Sequence, residues 1–361
     1  MADNVARILV KGRGASLNTA SARFDDPAHK ADGDWRDAAQ LVDGEATAPA
    51  TTVTIEHPQT IIARNTSPDV PFDHSINPWR GCEHGCIYCF ARPTHAYHNL
   101  SPGLDFETKL FAKPAAARLL RAELMKPSYR PATIAMGTNT DCWQPAEEHL
   151  RISRAVLEVL AEFCHPLGIV TKSNRVLRDL DILAPMAARG LVHVGVSLTT
   201  LDPVLARRLE PRAPAPAQRL KAIRTLADAG VPVFALHAPM IPALNDHELE
   251  RLMEAAVRAG ALTASYVPLR LPHEVAPLFR DWLDAHYPAR ARHVMSLVRS
   301  IRDGRDNDPE FGSRMRGTGP YAEMLRARFK AARRRFGLDR RLPPLRTDLF
   351  RRPGPEQLPL I

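Results

Sequence analysis

Between about residues 56 and 270, short runs rich in β-branched residues alternate with longer stretches whose apolar side chains recur at helical spacing. The runs "ATIAMGT" (132–138), "GIVTKS" (168–173), "VHVGVSL" (192–198), "VPVFALHAPMI" (231–241) and "ASYVPL" (264–269) read as buried strands. Residues 146–163 carry Leu150, Ala155, Leu157 and Leu160 at helical spacing, and "RLKAIRTLADAG" (219–230) closes on Gly230, a helix stop. This alternation predicts an α/β fold with a parallel sheet. The form it favours is an incomplete parallel (β/α) barrel, which keeps its chemistry at the C-terminal ends of its strands. The flanks read differently. Residues 1–55 lack a sustained apolar period and read as a disordered or loosely packed arm. Over 271–361 the stretches "HEVAPLFRDWLDAHY", "ARARHVMSLVRSIRDG" and "YAEMLRARFKAARRRFG" predict a helical extension that covers the open side or the bottom of the sheet.

Composition sharpens this only in part. A hydrophobic content of 45% and a mean hydropathy of −0.25 fit a globular chain, and no apolar run approaches the ~20 residues that cross a bilayer. The start, "MADNVARILVKGRG", lacks the apolar core of a secretory leader, so the expected location is the cytoplasm. In that reducing setting clustered cysteines bind metal or do redox chemistry more often than they form disulfides. The net charge of +9 is concentrated: residues 314–352 hold twelve Arg and one Lys against Glu323, Asp339 and Asp348, a balance of +10. Such a stretch is either a footprint for nucleic acid or a solvated terminal helix in an Arg-rich protein.

The chemistry gathers in "NPWRGCEHGCIYCF" (77–90), where Cys82, Cys86 and Cys89 fall within eight positions. Thiolates suit zinc, copper(I) and iron–sulfur clusters. Structural zinc wants four closed ligands, and the chain has Cys86-x-x-Cys89 without a second pair, although His84 and His95 could complete a zinc site. Three closely spaced cysteines can instead hold three corners of a [4Fe–4S] cubane and leave one iron without a protein ligand.

The Cys-x3-Cys-x2-Cys spacing, with Tyr88 just before the last cysteine, resembles the signature of the radical S-adenosylmethionine (SAM) superfamily. The resemblance extends over about residues 70–270. It implies an incomplete barrel of radical SAM type with a [4Fe–4S] cluster on Cys82, Cys86 and Cys89. It further implies that SAM chelates the fourth iron and is cleaved to a 5′-deoxyadenosyl radical, with the electron drawn from a partner such as flavodoxin or ferredoxin. By the same resemblance Gly137, Thr138 and Asn139 stand where such proteins hold the SAM amino group, with Asp141 as a carboxylate partner. A strand-to-helix turn with Asp141 as N-cap explains the same letters. Lys172 and Ser173 in "TKSN", Ser197 in "SLTT" and Arg212 in "LEPRAPAPAQR" are the further candidates for the carboxylate and nucleoside of SAM, and Tyr88 for its adenine. Met240 and Ile241, at a strand end, read as packing.

Within the superfamily, "NPWRGCEHGCIYCFAR" together with "TKS" is most similar to the branch containing spore photoproduct lyase. That likeness implies lyase or repair chemistry on nucleic acid, with a thiol outside the cluster as hydrogen-atom donor. Cys142, following the second predicted strand, is the candidate donor, although a free cysteine also packs as a small hydrophobe; Cys164, at a helix end, reads as structural. Tyr321, Phe329 and Trp143 offer rings for stacking an extruded base. A second function class stays open: a non-catalytic iron–sulfur or zinc protein that binds nucleic acid through its basic C-terminal region.

Overall fold

The computed structural model describes residues 12–24 and 50–354. Its strands are β1 (Thr52–Ile55), β2 (Ile62–Arg64), β3 (His74–Ile76), β4 (Trp79–Arg80), β5 (Lys109–Ala112), β6 (Ile134–Met136), β7 (Leu167–Thr171), β8 (Val192–Ser197), β9 (Val233–Met240) and β10 (Thr263–Pro268). A seven-stranded sheet runs in the order β10-β9-β8-β7-β6-β3-β2. From β3 to β10 the neighbours are parallel, and β2 adds antiparallel to β3. Both β10 and β2 have one partner, so the sheet curves without closing. A smaller sheet, β1-β5-β4, flanks it.

Side-chain alternation fixes which face is which. In β8, Val192, Val194 and Val196 are fully buried in the same core as Leu183, Ile223 and Leu226 of the outer helices. Each such side chain contributes roughly 1.5–3 kcal/mol by leaving water. The opposite face follows from register: Ser75, Ala135, Gly168 and His193 lie side by side across four strands, a row of mainly small residues.

All five predicted strands lie in the parallel sheet. The helix expected over 146–163 is broken: Glu147–Leu150 ends at Arg151, which has φ 49°, and Ile152–Glu162 starts afresh. The cause is Glu147, whose buried carboxylate accepts from Trp79 Nε1 at 3.0 Å and from Ser153 N at 2.8 Å, capping the second helix.

Two flanking expectations change. The described parts of the N-terminal arm are tied down: Arg13 and Gly14 bond to Glu107, Asn18 to Asp105, and Ser21 and Arg23 to Glu274, while β1 pairs with β5. The rest of 1–55 lies outside the described residues. The C-terminal extension divides between the two ends of the strands. Helices Val275–His286 and Pro288–Ser300 put Phe279, Trp282, Val294 and Val298 into one apolar cluster with Cys86, Ile87 and Tyr88, at the C-terminal ends. Residues 338–352 pass beneath the N-terminal ends. There Thr263 Oγ1 donates to Leu338 O at 2.8 Å, Arg346 N to Gly190 O at 2.9 Å, and Arg352 Nη2 to Lys126 O at 2.8 Å. Phe350 packs on Tyr129, Phe163 and His165.

Candidate metal and cofactor site

The cysteine loop follows β3 and sits at the C-terminal mouth of the sheet. Its backbone is pinned from several directions: Cys82 N donates to Phe106 O at 2.9 Å, Ile87 N to Leu209 O at 3.0 Å and Glu83 N to Gln144 Oε1 at 2.8 Å. Arg92, with no exposed surface, does most of the rest. Its Nε donates to Cys86 O at 2.8 Å, Nη2 to Gly85 O at 3.1 Å and Nη1 to Gly103 O at 2.9 Å, while Glu107 neutralises it. The two Glu107 oxygens also accept from Gly14 N and Ala15 N, both at 2.9 Å, so the N-terminal segment is clamped on the loop. Residue 14 must be glycine for this, because a Cβ there would lie 1.8 Å from Gly85 O.

Cys82 and Cys86 are buried and Cys89 is half-buried; all three are free thiols. Burial pushes all three pKa values up, that of Cys86 to about 12. A thiolate in such a place needs a nearby cation, and a bound metal supplies one. Among the described residues no three or more His, Cys, Asp or Glu side chains are gathered to hold one metal ion. A cubane differs in this respect, since each thiolate takes its own iron. The donor set therefore fits an iron–sulfur cluster rather than mononuclear zinc. Each candidate zinc histidine has one ring nitrogen engaged and the other without a partner among the described residues: His95 Nε2 lies 2.9 Å from Lys109 O, with burial lowering its pKa to about 4, and His84 Nδ1 is 3.4 Å from Asp141 Oδ2.

Around the loop the strand ends bring several predicted residues together. Tyr88 is buried and its hydroxyl donates to Glu210, which also accepts from Thr199 Oγ1 at 2.8 Å and pairs with buried Arg219. Burial alone would raise the Glu210 carboxyl, but Arg219 and Lys172 hold it at about 2. Lys172 stands over the Tyr88 ring, 5.8 Å from its centroid; burial lowers its pKa, and Cys86 and Glu210 more than offset that. Ser197, at the end of β8, and Thr138, after β6, have hydroxyls with no protein partner among the described residues. Asn139, next to Thr138 in sequence, is half-buried, its N–H bonded to Asn77 Oδ1 at 3.3 Å.

Other predicted residues are occupied within the fold. The Asp141 carboxylate accepts from Thr171 Oγ1 at 2.8 Å, Lys172 N at 2.7 Å and Trp143 N at 2.9 Å, tying the β6 and β7 ends together. Gly137, at φ 80°, is where β6 crowds β7: a Cβ would meet Val170 O at 2.0 Å. Ser173 caps the following turn through Arg175 N at 3.2 Å. Arg212 pairs with Glu83 at 3.1 Å. The Cys142 thiol is fully buried and grouped with the main core; burial raises its pKa, it lies 4.0 Å from Thr140 O, and the Ser153 hydroxyl and the Asp141 and Glu147 carboxylates stand near it. Cys164 Sγ accepts from Arg189 at 2.8 Å, and Met240 and Ile241 are core residues.

The sequence passes over Glu210, Arg219, Arg92, Glu107 and Gln144. Their signal was weak, since a lone charged residue announces burial only through its partners. His84 has a sharper one: its Nε2 is buried with no partner in the protein.

The radical SAM superfamily model matches residues 76–256, half of the chain, from β3 through the helix after β9. The chain belongs to the radical SAM superfamily. Its cofactors are accordingly a [4Fe–4S] cluster and SAM. An uncharacterised protein of Mycobacterium tuberculosis is 38% identical over 232 residues, covering 64% of this chain and 68% of that protein. An uncharacterised protein of Methanocaldococcus jannaschii is 27% identical over 213 residues, 59% of this chain and 76% of that one. Among solved structures, spore photoproduct lyase complexed with dinucleoside spore photoproduct has a TM-score of 0.56 at 16% identity over 79% of each chain, a likeness of fold. Among the described residues no helix is long and apolar enough to cross a membrane.

Proposed function

We propose that Cys82, Cys86 and Cys89 hold the cluster, and that this radical SAM enzyme acts on nucleic acid by lyase or repair chemistry. The observation that carries the first part is the loop itself: three free thiols on a backbone fixed by Arg92 and Gln144. When bound, the cofactors supply a reducing cluster and, from SAM, a 5′-deoxyadenosyl radical. The chain's own residues position and shield. Lys172 presents a cation for the SAM carboxylate, Thr138, Asn139 and Ser197 offer polar groups at the strand ends, and Tyr88 gives a ring held in place by Glu210. Asp141, Gly137, Ser173 and Arg212 act one layer out, by holding the strand ends and the loop that carry those groups.

Nucleic acid as substrate is supported by the likeness of fold to a lyase whose complex contains a dinucleoside lesion. The electron donor, a flavodoxin or ferredoxin, has its approach at Cys89, the least buried of the three thiols, beside half-exposed Phe90. The alternative of a non-catalytic binder working through its basic tail gains nothing from residues 338–352, which lie under the opposite ends of the strands.

Anaerobic reconstitution with iron and sulfide, reduction with dithionite and addition of SAM test the core of this. We expect a SAM-dependent change in the cluster EPR spectrum and formation of 5′-deoxyadenosine. A cluster whose spectrum ignores SAM would end the catalytic reading.

A further inference from the structure

A positive cluster at the C-terminal end of β10 has no role in the site above. Leu269 and Leu271, on either side of Arg270, pack in the apolar cluster that contains Cys86 and Tyr88, so the group lies at the mouth. Segment 302–316 runs from there to the loop between β2 and β3. At one end Arg302, 1% exposed, donates to Pro268 O at 3.0 Å and Leu269 O at 2.7 Å. At the other, Arg314 pairs with Asp69 and donates to Ser67 Oγ at 2.8 Å, and Gly312 N donates to Asp69 Oδ1 at 2.7 Å. The segment thus bridges the two unpaired edges of the sheet.

Arg270 is the unmatched member. Its Nη1 meets only the Met315 thioether, at 3.2 Å, a weak acceptor. Its Nε is buried with no partner, and Nη2 has none among the described residues. Together those two N–H groups form the side-on fork that grips an oxyanion. Burial and Arg314 lower the Arg270 pKa, while Asp69 and Asp308 pull the other way. Arg302, also nearby, is held down to about 10 by burial and by Arg270. Asp69 is taken up by Arg314, and among the described residues Arg270 forms no ion pair of its own. On Arg314, the guanidinium nearest Arg270 in the cluster, lies the ring of Phe311, 59% exposed and 4.3 Å away. An exposed ring next to a cation is a face on which a base stacks.

We infer that Arg270 binds one phosphodiester of a nucleic-acid substrate and that Phe311 stacks an adjoining base, so that segment 302–316 holds the strand at the mouth of the barrel. A carboxylate would satisfy the fork and leave the ring unused; a phosphodiester flanked by bases uses both. This rests on the nucleic-acid reading of the site.

The test titrates the full-length protein, without SAM or reductant, with the dinucleotide TpT and with its uncharged methylphosphonate analogue. Wild-type protein should prefer TpT by about tenfold, the effect of one charge-assisted fork. Arg270→Met should abolish that preference, Arg270→Lys should restore part of it, and Phe311→Ala should weaken both ligands alike. The thermal midpoint of each variant reports its folding. Equal affinity for the two ligands in wild-type protein, or an undiminished preference in folded Arg270→Met, would overturn the assignment. So would competition by N-acetylglycine for a site that ignores TpT. Because no SAM is present, a protein that makes 5′-deoxyadenosine yet ignores TpT loses this subsite and keeps its radical chemistry. One that binds TpT but is inert to SAM does the reverse.

Discussion

The two ends of the strands use charge in opposite ways. At the mouth Arg92, Glu107, Glu210 and Arg219 are withdrawn from water and matched to one another or to loop carbonyls. At the floor Arg340 and Arg341 are exposed and unpaired, and the tail is held by rings and backbone bonds instead. Buried ion pairs give little net stability, because desolvation offsets their attraction. Their concentration at the mouth is therefore better explained by the need to hold a loop and a ring in one geometry. Most of the densest basic stretch of the sequence, 314–352, thus lies away from the site; Arg314, at the mouth, is the exception. Several of its arginines are committed locally: Arg328 to Glu250, Arg346 to Asp348, Arg352 to backbone carbonyls.

Variants at each end can break this contrast. The largest effect is expected for Cys82→Ala, Cys86→Ala or Cys89→Ala, each of which should abolish cluster assembly while far-ultraviolet circular dichroism stays that of the wild type. Normal iron content in all three would remove the ligand assignment. Next comes Arg92→Met, which strands Glu107 as a buried, unpaired carboxylate and should cost ~3–5 kcal/mol, read as a fall in the denaturation midpoint. An unchanged midpoint would mean that the loop is held by something else.

Glu210→Gln should cost roughly 3 kcal/mol near neutral pH and be strongly pH-dependent. The folded carboxyl titrates at about 2 against an ordinary value of 4.5, so its contribution is full above about 4.5 and is lost as the pH falls toward 2. Wild-type and variant stabilities should therefore converge with acidification, and a constant gap would contradict the ion network. The smallest effect is reserved for the floor. Arg340→Ala with Arg341→Ala should leave 5′-deoxyadenosine formation within about twofold of wild type, since surface charges with no partner contribute almost nothing to a distant site. A large loss would show that the floor takes part in catalysis.

Much of the frame was legible because it is local. Strands such as "VHVGVSL" announce themselves by β-branched runs, and the cysteine spacing carries its chemistry within eight residues. What escaped depends on pairing at a distance. Glu107 looks like any surface acid until Gly14 and Arg92 meet on it. In "LEPRAPAPAQR" the sequence puts forward Arg212, which lies outside against Glu83, while Arg219 is the one buried with Glu210. Cys142 follows a strand end, as a hydrogen donor would, and its thiol is buried in the core that also holds Trp143 and Ile152. Periodicity locates a backbone position well and a side-chain direction in a turn poorly.

The clamp of the N-terminal segment on the cysteine loop also sets an order of events during synthesis. Ser16 bonds to Asp281, a partner 265 residues away, and Arg23 bonds to Glu274. Those partners leave the ribosome long after the cysteines and Glu107 do, so only the Glu107 part of the clamp can form while the strands are being made. The ties to Asp281 and Glu274 come last, and closing them joins the N-terminal segment to the helical extension only once the barrel is complete.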